Sequence, residues 1–215
     1  MDKFPISKRN VSFPCGAITL EGLLEFPQHR ENPPQVALIL HPHPLYGGNL
    51  FNNVTSRVAE GLLQKGVATL RFNFRGVGAS GGTHGGGVDE IDDVLAAMSF
   101  LDSLGQANFG DLILAGYSFG CWVGLKAAAR EDRFMRLIGI SPPVDMYDFG
   151  FLLNEKRPKL LLAGDRDFVC STKNFLELTE KIPEPKLIVI LEGSDHFHSG
   201  REDQIVSKIS TFLNL

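Results

Sequence analysis

The stretch DLILAGYSFGCWVGLKAAA, Asp111 to Ala129, decides the reading of the chain. An apolar run ends at Gly116-Tyr117-Ser118-Phe119-Gly120 and passes directly into an alanine-rich helical pattern, so one hydroxyl sits at the joint between two buried elements. G-x-S-x-G between a strand and a helix is the spelling of a nucleophile elbow. The two glycines let strand and helix approach closely, and the serine takes a strained turn that lifts its Oγ clear of the packing. The helix that follows aims its free N–H groups at the same spot, which favours negative charge on a bound carbonyl oxygen. The alternative is a turn serine that only caps a helix.

Working outward, short apolar strings recur between helical patterns: VALILH (36–41), VATLRFNF (67–74), RLIGIS (136–141), KLLLAG (159–164) and KLIVIL (186–191). They lack polar alternation, as expected of parallel strands covered on both faces. Four helical stripes separate them. Phe51, Val54, Val58 and Leu62 form one closed by Gly66, and Ile91, Val94, Met98 and Leu101 another closed by Gly105. Ser171 is the expected N-cap of a third with Phe175, Leu178 and Ile182, and Ile205, Ile209 and Phe212 mark the last. Upstream, NVSFPCGAITLEGLLEF (10–26) predicts a hairpin turning near Cys15-Gly16 at a sheet edge. The expected fold class is α/β, a single domain over 1–215 with a doubly wound, mostly parallel sheet of about eight strands.

Composition narrows the function. The net charge is -4 with no basic block, which argues against nucleic acid and against an anionic membrane surface. Cys15, Cys121 and Cys170 show no C-x-x-C spacing, so free thiols in a reducing compartment are expected. MDKFPISKRN has no apolar core of a signal peptide, and a cytoplasmic location is expected. The implied partner is a small-molecule acyl substrate.

A serine hydroxyl is a weak nucleophile until a base takes its proton and a carboxylate orients that base. In elbow folds these partners follow in the order Ser, Asp or Glu, His. Two acids, Asp165 and Asp167, follow KLLLAG, and His196 follows the last strand in Ser194-Asp195-His196-Phe197-His198. Both arrive where that order requires.

With these pieces in place the chain resembles the α/β-hydrolase family, in particular small members similar to dienelactone hydrolases and to hydrolases bearing H-P-H-P-x-x-G-G. The matching blocks are His41 to Gly48, Phe72 to Ser80, Gly116 to Gly120, Gly164 to Val169 and Asp195-His196. Dienelactone hydrolases use a cysteine nucleophile where this chain has Ser118. The family pattern G-x-x-D, counted from Gly164, picks Asp167 over Asp165, which is left to cap a turn or pair with Arg166.

Two backbone donors are needed for an oxyanion. One is expected from Phe119, the residue after the nucleophile. The other is expected from the loop after VALILH, where Pro42 and Pro44 have no N–H and His41 ends the strand, leaving His43, with Leu45 behind it. The His41/His43 pair lacks a third ligand nearby, so no metal is expected and both rings are placed at the pocket rim. Gly76-Val77-Gly78-Ala79-Ser80-Gly81 spells a dinucleotide loop, but Gly82 to Gly87 delays the helix; a structural loop, with Arg75 as a structural donor, is the better reading, and no cofactor is implied.

Only Pro142 to Pro158 separates two strands where larger relatives insert a helical lid, so an open site is expected. Tyr46, Met146, Tyr147, Phe149, Phe168 and Phe197, with Phe119, are candidate lining residues. The reading is a serine hydrolase of small or medium carboxylic esters. A thioesterase or peptidase of the same fold, or a ligand-binding protein with a spent triad, is the alternative.

Overall fold

The computed structural model describes residues 6–27, 35–104 and 111–214. Its eight strands are β1 (Ile6–Cys15), β2 (Ile18–Pro27), β3 (Gln35–Leu40), β4 (Ala68–Phe72), β5 (Asp111–Tyr117), β6 (Phe134–Ile140), β7 (Lys159–Gly164) and β8 (Lys186–Leu191). They form one sheet in the order β1-β2-β4-β3-β5-β6-β7-β8. The β1–β2 hairpin and the β2–β4 pair are antiparallel, and every other pair is parallel. The hairpin turns at Gly16, whose φ of 57° only glycine adopts freely.

Five helices, α1 (Asn53–Gln64), α2 (Glu90–Ser103), α3 (Phe119–Ala128), α4 (Thr172–Lys181) and α5 (Glu202–Leu213), cover both faces. Side chains of a strand alternate between faces, and the core divides accordingly. Val36, Leu38 and Leu40 of β3 join Ile91, Val94, Val123, Leu125 and Phe175 on the face under α2, α3 and α4. Ala37 and Ile39 join Val54, Val58, Leu62, Ile205 and Ile209 under α1 and α5. Burying each such aliphatic side chain stabilises the fold by about 1.5–3 kcal/mol. Among the described residues, no helix is long and apolar enough to cross a membrane.

Several local expectations are corrected. Phe51 does not extend the first helical stripe: Asn52 caps α1, its Oδ1 accepting from the Val54 amide at 3.0 Å, and Phe51 stands 69% exposed before it. Ser171 occupies the N-cap of α4, but its hydroxyl donates to Asp145 at 2.8 Å instead of accepting from the helix. Gly105 lies outside the described residues. Two other expectations hold: the glycine-rich loop opens no helix at once, α2 starting only at Glu90, and Arg75 is a structural donor. Arg75 points inward, with one guanidinium nitrogen 2.7 Å from the wholly buried Asp93.

The carboxyl ends of β3, β5, β6, β7 and β8 all open on one edge of the sheet. Every candidate residue lies just beyond one of them, where parallel sheets bind ligands.

Candidate active site

Ser118 is held in its turn by backbone sterics. Its φ and ψ are 54° and -118°, and its N–H donates to the Ile140 carbonyl of the neighbouring strand at 2.9 Å. A Cβ at Gly116 would collide with the Gly120 carbonyl, and one at Gly120 would sit 2.5 Å from the His41 oxygen. Only glycine lets β5, α3 and the end of β3 approach so closely. Cys121 packs just behind; its thiol is wholly buried, and burial pushes its ionisation well above the usual thiol range. It is an inert filler.

The loops after β7 and β8 bring two distant residues to this hydroxyl. His196 Nε2 lies 2.9 Å from Ser118 Oγ, and its Nδ1 lies 2.9 Å from each oxygen of Asp167. A carboxylate only accepts, so Nδ1 carries the imidazole proton and Nε2 is left to accept from the serine. Burial works against the Asp167 charge, but hydrogen bonds from His196, Ser141 and the Val169 amide prevail and hold its pKa below the usual carboxylate value. The Cys170 amide donates to the same carboxylate at 3.0 Å. Tyr117 steadies the histidine loop by donating its hydroxyl to the His196 carbonyl at 2.7 Å. Asp165, the rival acid, accepts from the Gly193 amide at 2.7 Å and so caps a turn.

The two residues expected to donate to an oxyanion, Phe119 and His43, line the same cleft as Ser118. Phe119 is the first residue of α3, where an amide has no intrahelical partner. The loop after β3 winds as a short 3-10 turn, Pro44–Tyr46, and the Leu45 amide, the reserve candidate, donates to His43 Nδ1 at 3.2 Å. The His43 carbonyl accepts from Tyr46 and Gly48, while no such bond engages its amide among the described residues. His43 packs its ring on Phe119, with centroids 4.8 Å apart, and burial, helped by His84, keeps it below the usual imidazole range.

His41 is not at the rim. It is 1% exposed beneath the loop, its Nε2 accepting from the Phe74 amide at 3.1 Å and its Nδ1 donating to the Pro42 carbonyl at 2.7 Å. Burial pushes its pKa down to about 4. With both nitrogens bonded to backbone, this ring ties the loop to the end of β4 and offers no lone pair to a metal. Among the described residues no group of three His, Cys, Asp or Glu side chains is arranged to hold one.

A cleft of about 610 Å³ opens over the serine, lined by Ser118, Phe119, His43, His196, Tyr46, Met146, Tyr147, Phe168 and Phe197, with Asn52, Pro143 and Val169. Sequence reasoning did not single out these last three as lining residues, although Val169 closes the block Gly164 to Val169. No lysine or arginine lines it. Tyr147 stacks on Trp122 at 4.2 Å, whereas Phe168 and Phe197 meet at the mouth at 5.7 Å. Phe149, expected to line the site, belongs to the core instead: it is 3% exposed and packs in the same cluster as Ile91, Val123 and Phe175. The segment between β6 and β7 holds only turns and a short 3-10 turn, Gly150–Asn154.

Comparison with known proteins gives a consistent picture. A family model described as the alpha/beta hydrolase family matches residues 38–173. An uncharacterized protein of Rickettsia prowazekii (strain Madrid E) is 35% identical over 186 residues, which are 83% of this chain and 78% of that protein. The structure of an alpha-beta serine hydrolase homologue from Coxiella burnetii superposes with a TM-score of 0.86 at 31% identity, over 96% of this chain and 97% of the other. A serine hydrolase without lid from Xanthomonas campestris superposes with a TM-score of 0.87 at 27% identity, over 100% of this chain and 97% of the other.

Proposed function

The chain belongs to the alpha/beta hydrolase family and is a hydrolase, and from that premise we propose that it cleaves small or medium carboxylic esters through an acyl-enzyme. The observation that carries the reading is the line of contacts Ser118 Oγ, His196 and Asp167, 2.9 Å at each step.

In this reading Ser118 Oγ attacks the acyl carbon while His196 Nε2 takes its proton, and Asp167 holds the imidazolium that forms. The carbonyl oxygen becomes an oxyanion between the Phe119 and His43 amides, donors that need no reorganisation as charge develops. Collapse breaks the bond to the alcohol, which leaves with the proton from His196. Water then adds to the acyl-serine, gives a proton to the same nitrogen, and the acid departs as Ser118 recovers its hydrogen. The mostly apolar cleft without a cationic clamp supports a neutral ester over a phosphorylated thioester carrier. The buried thiols support a reducing, cytoplasmic setting.

A panel of nitrophenyl esters and matched thioesters of increasing acyl length tests the proposal. Turnover of short and medium esters, lost in Ser118→Ala, is the expected result. Faster turnover of every thioester would move the substrate class, and no turnover of either by folded protein would favour a binding role.

A further inference from the structure

The histidine two residues after the base has a place in the fold that the proposed reaction leaves unused. His198 is wholly buried, with Ser194 Oγ 2.7 Å from its Nδ1 and Ser141 Oγ 2.7 Å from its Nε2. Ser141 follows β6 directly, is also wholly buried, and bonds the Asp167 carboxylate. Four side chains from the ends of β6, β7 and β8 therefore form one line behind the base.

The direction of every proton in this line follows from its end. Asp167 is held ionised and can only accept, so the one hydrogen of Ser141 goes to it. Ser141 Oγ must then accept at its other contact, which places the hydrogen of His198 on Nε2. Burial pushes His198 down to about 4, so the ring is neutral and has a single N–H. Its Nδ1 accepts, and the remaining hydrogen comes from Ser194, whose 2.7 Å contact with the ring outweighs its 3.4 Å approach to the Asp195 carbonyl. The polarity runs one way, Ser194 to His198 to Ser141 to Asp167, and donors in such a chain strengthen one another.

The backbone is bent to make this line. Among the described residues the non-glycine positions with positive φ are Ser118 (54°), Ser141 (45°) and His198 (53°). Such conformations persist where the surroundings hold them in place, and they gather at functional sites. Two of the three carry side chains that never approach the cleft.

We propose that Ser141 and His198 are positioning residues, a one-way hydrogen-bond relay that fixes the charge and orientation of the carboxylate behind His196. The proposal rests on the serine-hydrolase reading above. A relay with no such role would merely satisfy buried polar groups, and removing it would disturb folding without selectively slowing the chemical step.

Ser141→Gly separates these cases, because glycine deletes the hydroxyl at a backbone angle it adopts without strain. With an ester the wild type hydrolyses, we expect kcat to fall about tenfold or more while KM stays within about twofold, since one hydrogen bond to a charged group is lost and no cleft contact changes. The Nδ1 proton resonance of His196 shifts in the same variant. His198→Gln, which keeps an amide donor, retains more of kcat than His198→Leu. A folded Ser141→Gly with kcat within twofold of an active wild type overturns the relay alone. If that variant does not fold, equal kcat in the two His198 variants overturns it instead. A wild type indistinguishable from Ser118→Ala on every ester overturns the hydrolase reading, and the relay with it.

Discussion

The elbow and the mouth of the cleft are built on opposite principles. Around Ser118 the backbone itself is the constraint: two glycines at which a Cβ would strike backbone, a positive φ, and an amide tied to the next strand. At the mouth, Tyr46, Met146, Phe168 and Phe197 are 82%, 55%, 65% and 56% exposed, and they stand on turns that the sheet does not clamp. Geometry is thus fixed where bonds would be made and broken, and left adjustable where a substrate's outer parts would rest. Mutations should fall into two classes along this divide.

The sharpest contrast is expected between the two acids of one loop. Asp167→Asn removes the charge that faces the imidazole and should lower kcat by about 10³–10⁴-fold, whereas Asp165→Asn, which touches only a turn amide, should stay within a few-fold. Ester kinetics on both purified variants makes the comparison. A loss confined to the residue-165 variant would reverse the assignment.

The buried side should also respond to pH where the mouth does not. His41 and His198 have folded pKa values of about 4, against about 6.5 in an unfolded chain. Between those values the unfolded chain binds protons that the folded chain does not, so stability is fully present above about pH 6.5 and is lost as pH falls toward 4. Each histidine should contribute about 1–3 kcal/mol of that loss. Urea unfolding at pH 7 and pH 4.5 measures it, and an unchanged midpoint would contradict the buried neutral rings.

A smaller effect is expected at the elbow's packing. Gly120→Ala places a Cβ 2.5 Å from the His41 carbonyl, so the backbone must shift, at a cost of about 1–3 kcal/mol and with a matching drop in kcat. The smallest belongs to the mouth. Phe168→Ala and Phe197→Ala should change stability by less than about 0.5 kcal/mol, yet alter the preferred acyl length through KM with little change in kcat. A large kcat loss in either would erase the division drawn here.

Much of the buried side was legible in the sequence, for a physical reason. Local sterics constrain the strand-to-helix joint, so G-x-S-x-G carries it, and the order of the blocks carries the acid, with Asp167 preferred to Asp165 only through the G-x-x-D pattern of the family the chain resembles. Apolar strings likewise announced the six strands β3 to β8, because parallel strands covered on both faces have no polar alternation, while β1 and β2 were expected as an edge hairpin.

What escaped depends on which of two surfaces a residue meets. Phe149 and Met146 are three places apart and both apolar, but the turn sends one to the core and the other to the cleft. His41 and His43 differ by two positions, and one is buried while the other lines the cleft. The hydroxyl of Ser171 serves Asp145 because the two loops meet, which no local pattern announces. The contact between Ser141 and His198 spans 57 residues and needs a positive φ at each end. The only signal for it was a second histidine beside the first.

The central claim is that the hydroxyl of Ser118 is made nucleophilic by His196 beside two amide donors. Intact-mass analysis after treatment with a fluorophosphonate tests it most directly. The account predicts one adduct per chain, located on Ser118 and absent from both Ser118→Ala and His196→Ala. A folded wild-type chain that remains unmodified, or an adduct on another residue, would contradict it.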